Sequence, residues 1–175
     1  NNQNTVNVNQ GTLQLHGNGT HGSHFNVTTG SVLRFSGGTH TLNNVAFVGG
    51  QVIVEGVNTQ LDAVGGSTVS ASGVNFIFNG GTLAGAGDWD LSNLEWQDGT
   101  ISGTGLMLMN GPLNISTAAT KALSQRRIVV NNGHAATWID GHLAPANAAV
   151  LQIDFGATLD IQGNNNLLSG GTLEL

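Results

Sequence analysis

The chain of 175 residues contains no cysteine and no tyrosine, only two prolines, and charged residues at 8% of the total. Without cysteine there are no disulfides, thiolate metal sites or cysteine nucleophiles, and the redox compartment is left undefined. Basic residues are the scarcest charge: 4 Lys+Arg stand against 10 Asp+Glu, a formal net charge of -6. Bulk electrostatics therefore oppose a nucleic-acid partner and an anionic membrane surface. No apolar run approaches the length that crosses a bilayer, so membrane insertion is not expected. The chain does not begin with Met, and no basic segment followed by an apolar one marks a leader. The pattern is interrupted at Asn1 and at Leu175, as expected of one continuous unit, residues 1–175, taken from a longer protein.

What is abundant is glycine, at 27 residues, set among a hydrophobic fraction of 39%. Disordered chains combine low charge and high glycine with few large apolar residues; here Val, Leu, Ile and Phe recur at regular spacing. Short alternating runs bounded by Gly, Asn or Asp cover residues 5–8, 12–15, 31–35, 51–54, 74–78, 105–109, 127–130, 150–153 and 158–161. Each has the period of two that marks a strand with one buried face. The best helical candidate, residues 116–127, has no sustained apolar stripe and is expected to be a loop or a single short turn.

A repeated phrase at the strand starts separates a solenoid from a sandwich. It reads Gln10-Gly11-Thr12-Leu13, Gly37-Gly38-Thr39, Gly80-Gly81-Thr82-Leu83, Asp98-Gly99-Thr100-Ile101 and Gly170-Gly171-Thr172-Leu173, with further glycine pairs at Gly49-Gly50 and Gly65-Gly66. Successive corner glycines stand at Gly37, Gly49, Gly65 and Gly80, an imperfect repeat with the interval that one or two faces of a coil would occupy. Glycine supplies the positive φ that a sharp corner needs, and scarce proline suits a chain whose N–H groups form ladders. The fold expected is all-β, a right-handed parallel β-helix. Coils of roughly 20 residues at about 4.8 Å spacing give some eight or nine rungs and a rod of roughly 40 Å.

From Leu94 onward the wording is more specific. Trp96-Gln97-Asp98-Gly99-Thr100-Ile101-Ser102-Gly103 is followed by Gly111-Pro112-Leu113-Asn114-Ile115, Lys121-Ala122-Leu123, Asn131-Asn132-Gly133 and Gly156-Ala157-Thr158-Leu159-Asp160-Ile161. This half of the chain resembles the repeats of large bacterial exoproteins, the filamentous-haemagglutinin-like and autotransporter-like adhesins. The resemblance implies a β-helical shaft, a secreted or cell-surface location and an adhesive or scaffolding role. It implies no cofactor and transfers no catalytic residue.

Several residues could carry chemistry. Parallel β-helices also house polysaccharide lyases and hydrolases, and hydrolysis needs two carboxylates about 5 to 9.5 Å apart. Asp88 and Asp90 flank Trp89, with Glu95 and Asp98 nearby, and form the one acidic cluster in the sequence. The alternative is that these carboxylates cap backbone donors at corners, and Arg34, Lys121, Arg126 and Arg127 are too scattered in sequence to grip an acidic polymer. His16, His21 and His24 are metal-ligand candidates without a strong ligand spacing, and solvent-facing rings on a coil surface are expected instead. His134, His142 and Asp140 lie near Ser116 and Ser124, but no nucleophile elbow surrounds either serine. Trp89, Trp96 and Trp138 could stack on sugars if exposed, and would belong to the core otherwise. The expectation is a non-catalytic adhesin, filament or scaffold segment whose partners are neighbouring rungs, other copies of itself or surface glycans. The rivals are a polysaccharide-active enzyme using Asp88 and Asp90 and a carbohydrate-binding module using tryptophan.

Overall fold

The computed structural model describes residues 1–163, 165–167 and 170–175. Among these the regular structure is entirely β, with no helix. Strands pair in parallel with the coil before and the coil after, and the chain winds through about eight turns of a solenoid with three faces.

The first face is a nine-stranded sheet: Val6–Val8, His24–Val27, Ala46–Val48, Thr68–Ser72, Asp88–Leu91, Leu106–Met109, Arg127–Val130, Val150–Ile153 and Thr172–Glu174. The second face begins with Thr12–Leu15, Val32–Phe35 and Gln51–Glu55 and ends with Leu113–Ile115, Ala135–Trp138 and Thr158–Ile161. The third begins with Gly19–His21, Gly38–Leu42 and Thr59–Ala63 and ends with Thr120–Ser124, His142–Ala146 and Asn166–Leu167. In the middle coils two long strands, Asn75–Gly85 and Leu94–Ser102, run across the corner and serve both faces, with register shifts where they bend.

Alternation decides which side chains go in. On the second face, Leu13, Leu33, Val52, Phe76 and Leu94 form one inward column, and Leu15, Phe35, Val54, Phe78, Trp96, Ile115 and Trp138 a second. Each buried Leu, Val or Phe contributes about 1.5–3 kcal/mol relative to exposure. Aromatic contacts tie the columns across the core: Phe25 stacks on Phe47 at 5.7 Å, and Phe47, Phe76 and Trp89 follow edge to face at 6.1 and 6.2 Å. Coil length is loose: Trp89 is in register with Met107, whereas Phe47 meets Ala71, its partner one coil on, only after a longer stretch of chain. The surplus is absorbed at corners.

Two expectations need correction. Residues 120–124 form a strand, not a loop, paired on one side with Leu94–Ser102 and on the other with His142–Ala146. Its residues alternate short outward side chains, Ala122 and Ser124, with buried Lys121 and Leu123, so ladder bonds to both neighbours supply what local propensity does not. The corner glycines also divide into two kinds. Gly38, Gly49, Gly50, Gly66, Gly80, Gly81, Gly99 and Gly170 have positive φ, whereas Gly37, Gly65 and Gly171 do not. A Cβ at Gly37 would stand 2.8 Å from the exposed His16 ring, which would have to move, and at Gly171 a Cβ would strike Pro145 and the Ala149 carbonyl oxygen. At Gly65 the nearest atom, the Ala86 Cβ at 3.4 Å, leaves room.

Candidate functional site

Strand alternation in Asp88–Leu91 turns both Asp88 and Asp90 outward on the first face and buries Trp89 completely between them. Two residues of strand span about 7 Å, within the spacing of a carboxylate pair. Each carboxylate is nevertheless engaged by the following coil. The Leu106 N–H donates to Asp88 Oδ1 at 2.7 Å, and Asn110 Nδ2 donates to Asp90 Oδ1 at 2.7 Å. Asn131 donates in turn to Asn110, continuing a polar ladder along the edge of the first face.

Glu95 lies on the outer side of the second face, where the Ser116 hydroxyl donates to its Oε1. Asp98 accepts the N–H of Gly99 at 2.6 Å and so caps its own corner. The four acidic residues are thus split over two faces and a corner, and each holds a donor of the solenoid. Neither the concavity at the end of the solenoid nor the two smaller ones along its corners are lined by any of them. The first, about 750 Å³, opens at the end of the solenoid over Ile153, Leu159, Ile161 and Leu173, and a second, about 360 Å³, follows the corner of Gly30, Gly50 and Gly73.

The histidine candidates separate completely. His16 is exposed and its Nδ1 lies 3.2 Å from the Ser36 carbonyl oxygen; His24 faces outward from the first face. His21 is 3% exposed and lies inside the solenoid against His40. A solvent-facing His21 is therefore a misreading, caused by the glycines on either side, which look like a turn but flank a short strand, Gly19–His21. Among the described residues no group of three or more His, Cys, Asp or Glu gathers at one point.

All three tryptophans are core residues, with exposures of 0%, 1% and 2% for Trp89, Trp96 and Trp138. None presents a ring face to a sugar. Trp138 Nε1 donates to the Gly141 carbonyl at 3.2 Å, while the indole N–H groups of Trp89 and Trp96 have no protein acceptor. Ser116 is bound to Glu95, and Ser124 accepts from Asn147 at 2.9 Å, so neither serine is directed at an imidazole.

Two cations missed by the sequence reading are fully buried, Lys121 and Arg126. Lys121 Nζ donates to the carbonyls of Thr117, Ala119 (2.9 Å) and Asp140 (3.3 Å), which closes the corner that Thr117 makes with a positive φ. Burial lowers its pKa, opposed by Asp140, Asp98 and Glu95. Arg126 spans three coils. Its Nε donates to Ser102 O at 2.8 Å, one terminal nitrogen to Gly87 O at 3.1 Å and Leu106 O at 3.4 Å, and the other to Gly85 O at 2.6 Å. Burial pushes its pKa down to about 10, with Asp88 opposing. A signal for this site exists in the sequence: Gly85-Ala86-Gly87 recurs one coil later as Gly103-Thr104-Gly105, and the next coil puts Arg126 in register with Gly87 and Gly105.

No family model, curated protein or solved structure matches this chain.

Proposed function

We propose that this chain is a non-catalytic length of rigid shaft or scaffold in a secreted or cell-surface protein, of the kind whose repeats it resembles. Its outer faces serve as lateral contact surfaces for other copies of itself or for surface glycans. The observation that supports this reading is where the chemically versatile side chains go. The carboxylates of Asp88, Asp90 and Glu95 each hold a donor from the next coil, and all three tryptophans fill the core. Side chains used in this way join coil to coil.

A single observation favours the polysaccharide-active alternative: Asp88 and Asp90 share an outer face at a workable separation. A reducing-sugar assay against neutral and acidic polysaccharides separates the two readings. The shaft reading expects no new sugar ends from the wild-type chain or from Asp90→Asn. Release by the wild type that Asp90→Asn abolishes would sink it and establish the enzyme.

A further inference from the structure

The first two coils carry a pair of imidazoles in place of core hydrocarbon. His21 and His40 are 3% and 2% exposed and stand in columns that continue as leucine, His21 in register with Leu42 and His40 with Leu61. His21 Nε2 lies 3.1 Å from His40 Nδ1, and His40 Nε2 lies 3.1 Å from the Gly37 carbonyl oxygen. A carbonyl only accepts, so His40 Nε2 carries the proton and donates, and the bare Nδ1 of the neutral ring accepts from His21 Nε2–H. That arrangement leaves His21 Nδ1 bare, buried and without a partner.

With both rings neutral, every N–H in this chain of bonds has an acceptor. A proton added to His40 makes its Nδ1 the donor to His21 Nε2 and drives His21 to the tautomer with its proton at Nδ1. A proton added to His21 appears at Nδ1, where no acceptor waits, between Phe25 at 5.4 Å and Phe35 at 6.2 Å. The rings have little room to turn away, since even a Cβ on Gly19 would stand 2.8 Å from His21 Nε2.

The surrounding elements offer no compensating charge. Asp62 and Glu55 face outward from their strands, and Glu55 pairs with Arg34 at 3.2 Å on the outer side of the second face. His24 also points outward, and His16 meets Ser36 outside the corner.

We propose that the His21–His40 pair is an acid-sensitive latch, which holds the first two coils closed while both rings are neutral and releases them when either ring takes up a proton. Burial, helped by His40, lowers His21 from 6.5 to about 4, and burial lowers His40 as well, against its bond to Gly37. An opened coil binds these protons near the ordinary value of 6.5, so opening takes up protons as pH falls. The latch is intact above about pH 6.5, and its hold is lost progressively as pH falls toward 4, close to tenfold in the closed-to-open ratio per pH unit for each proton taken up.

Hydrogen exchange read by mass spectrometry, corrected for the intrinsic pH dependence of amide exchange, follows this coil by coil. Between about pH 7.5 and 4.5, residues 19–21, 24–27 and 38–42 are expected to lose protection by at least about tenfold, while residues 88–91, 106–109 and 127–130 keep theirs. The pH dependence disappears in a His21→Phe/His40→Leu double variant and survives in His24→Gln. Unchanged protection in the wild type, or the same loss in the double variant, overturns the latch. Should the double variant fail to fold, an NMR titration of the wild-type imidazole carbons decides: depressed titration of His21 and His40 supports the proposal, and titration of both at or above the ordinary value refutes it.

Discussion

At the scale of single residues, a tight backbone constraint lies where the third face turns into the first. Gly103 has a φ of +100°, and a Cβ on it would fall on the Gly85 carbonyl oxygen of the preceding coil. The glycines of this corner let the backbone approach so closely that its carbonyls converge on the Arg126 guanidinium. Arg126→Met keeps the stem but leaves the carbonyls of Gly85, Gly87, Ser102 and Leu106 without that donor. A loss of about 2–4 kcal/mol is expected in urea unfolding with an unchanged slope. Arg126→Lys should restore only part of it, since a compact ammonium cannot span carbonyls from two coils as a planar fork does. Gly103→Ala and Gly133→Ala make a second comparison. Both positions have positive φ, but nothing lies within 4 Å of a Cβ at Gly133. The Gly133 change should cost only about 1 kcal/mol of backbone strain, and the Gly103 change several times that or the fold itself.

At the scale of elements, the alternating runs read from the sequence fall on two faces and none on the third, where only the repeated glycine phrase marks strand starts. Thr12–Leu15, Arg127–Val130, Val150–Ile153 and Thr158–Ile161 fall where alternation puts them, because each offers two large apolar residues to the core. The third face reads poorly for a physical reason. Its outward positions are Thr39, Gln60, Thr82, Thr100, Ala122 and Ala144, and its inward columns include Gly19, His21 and His40, so hydrophobicity barely alternates along it. The repeated Gly-Gly-Thr phrase marks three different corners, and the glycines at 37, 49, 65 and 80 are each two faces apart. Thr120–Ser124 provides the test of this face. Leu123→Ala should cost about 2–5 kcal/mol, as for a core leucine, and Ala122→Thr should fall within about 0.5 kcal/mol, as for an outward position. Equal, small effects in thermal or urea unfolding would return the segment to a loop.

At the scale of the whole molecule, each coil touches only its neighbours, so stability is close to a sum over coils and their interfaces. In the 175-residue chain taken by itself, central coils are covered on both sides and the first and last described coils on one. Apolar residues at the end of the described chain show it: Phe155, Ile161 and Leu175 are exposed, and Leu159 and Leu173 only partly covered. Amide exchange at neutral pH should therefore be slowest in strands such as Asp88–Leu91 and Leu106–Met109 and quickest in Val6–Val8 and Thr172–Glu174. A uniform profile would mean that the solenoid opens as a single cooperative unit.

By itself the sequence determined the class of fold, the absence of helix among the described residues and the approximate length of a coil. These follow from local facts, a period of two in apolar residues and glycine at intervals of part of a coil, which hold wherever the strands dock. The tertiary structure alone decided which face a residue joins, that Trp89, Trp96 and Trp138 are core and not platforms, and that His21, Lys121 and Arg126 lie inside. Burial of a polar side chain depends on what the coils above and below place beside it, and the register that decides this varies from coil to coil. For Arg126 those neighbours are glycine carbonyls, and for His21 a second imidazole, and neither is visible in the residues adjacent along the chain.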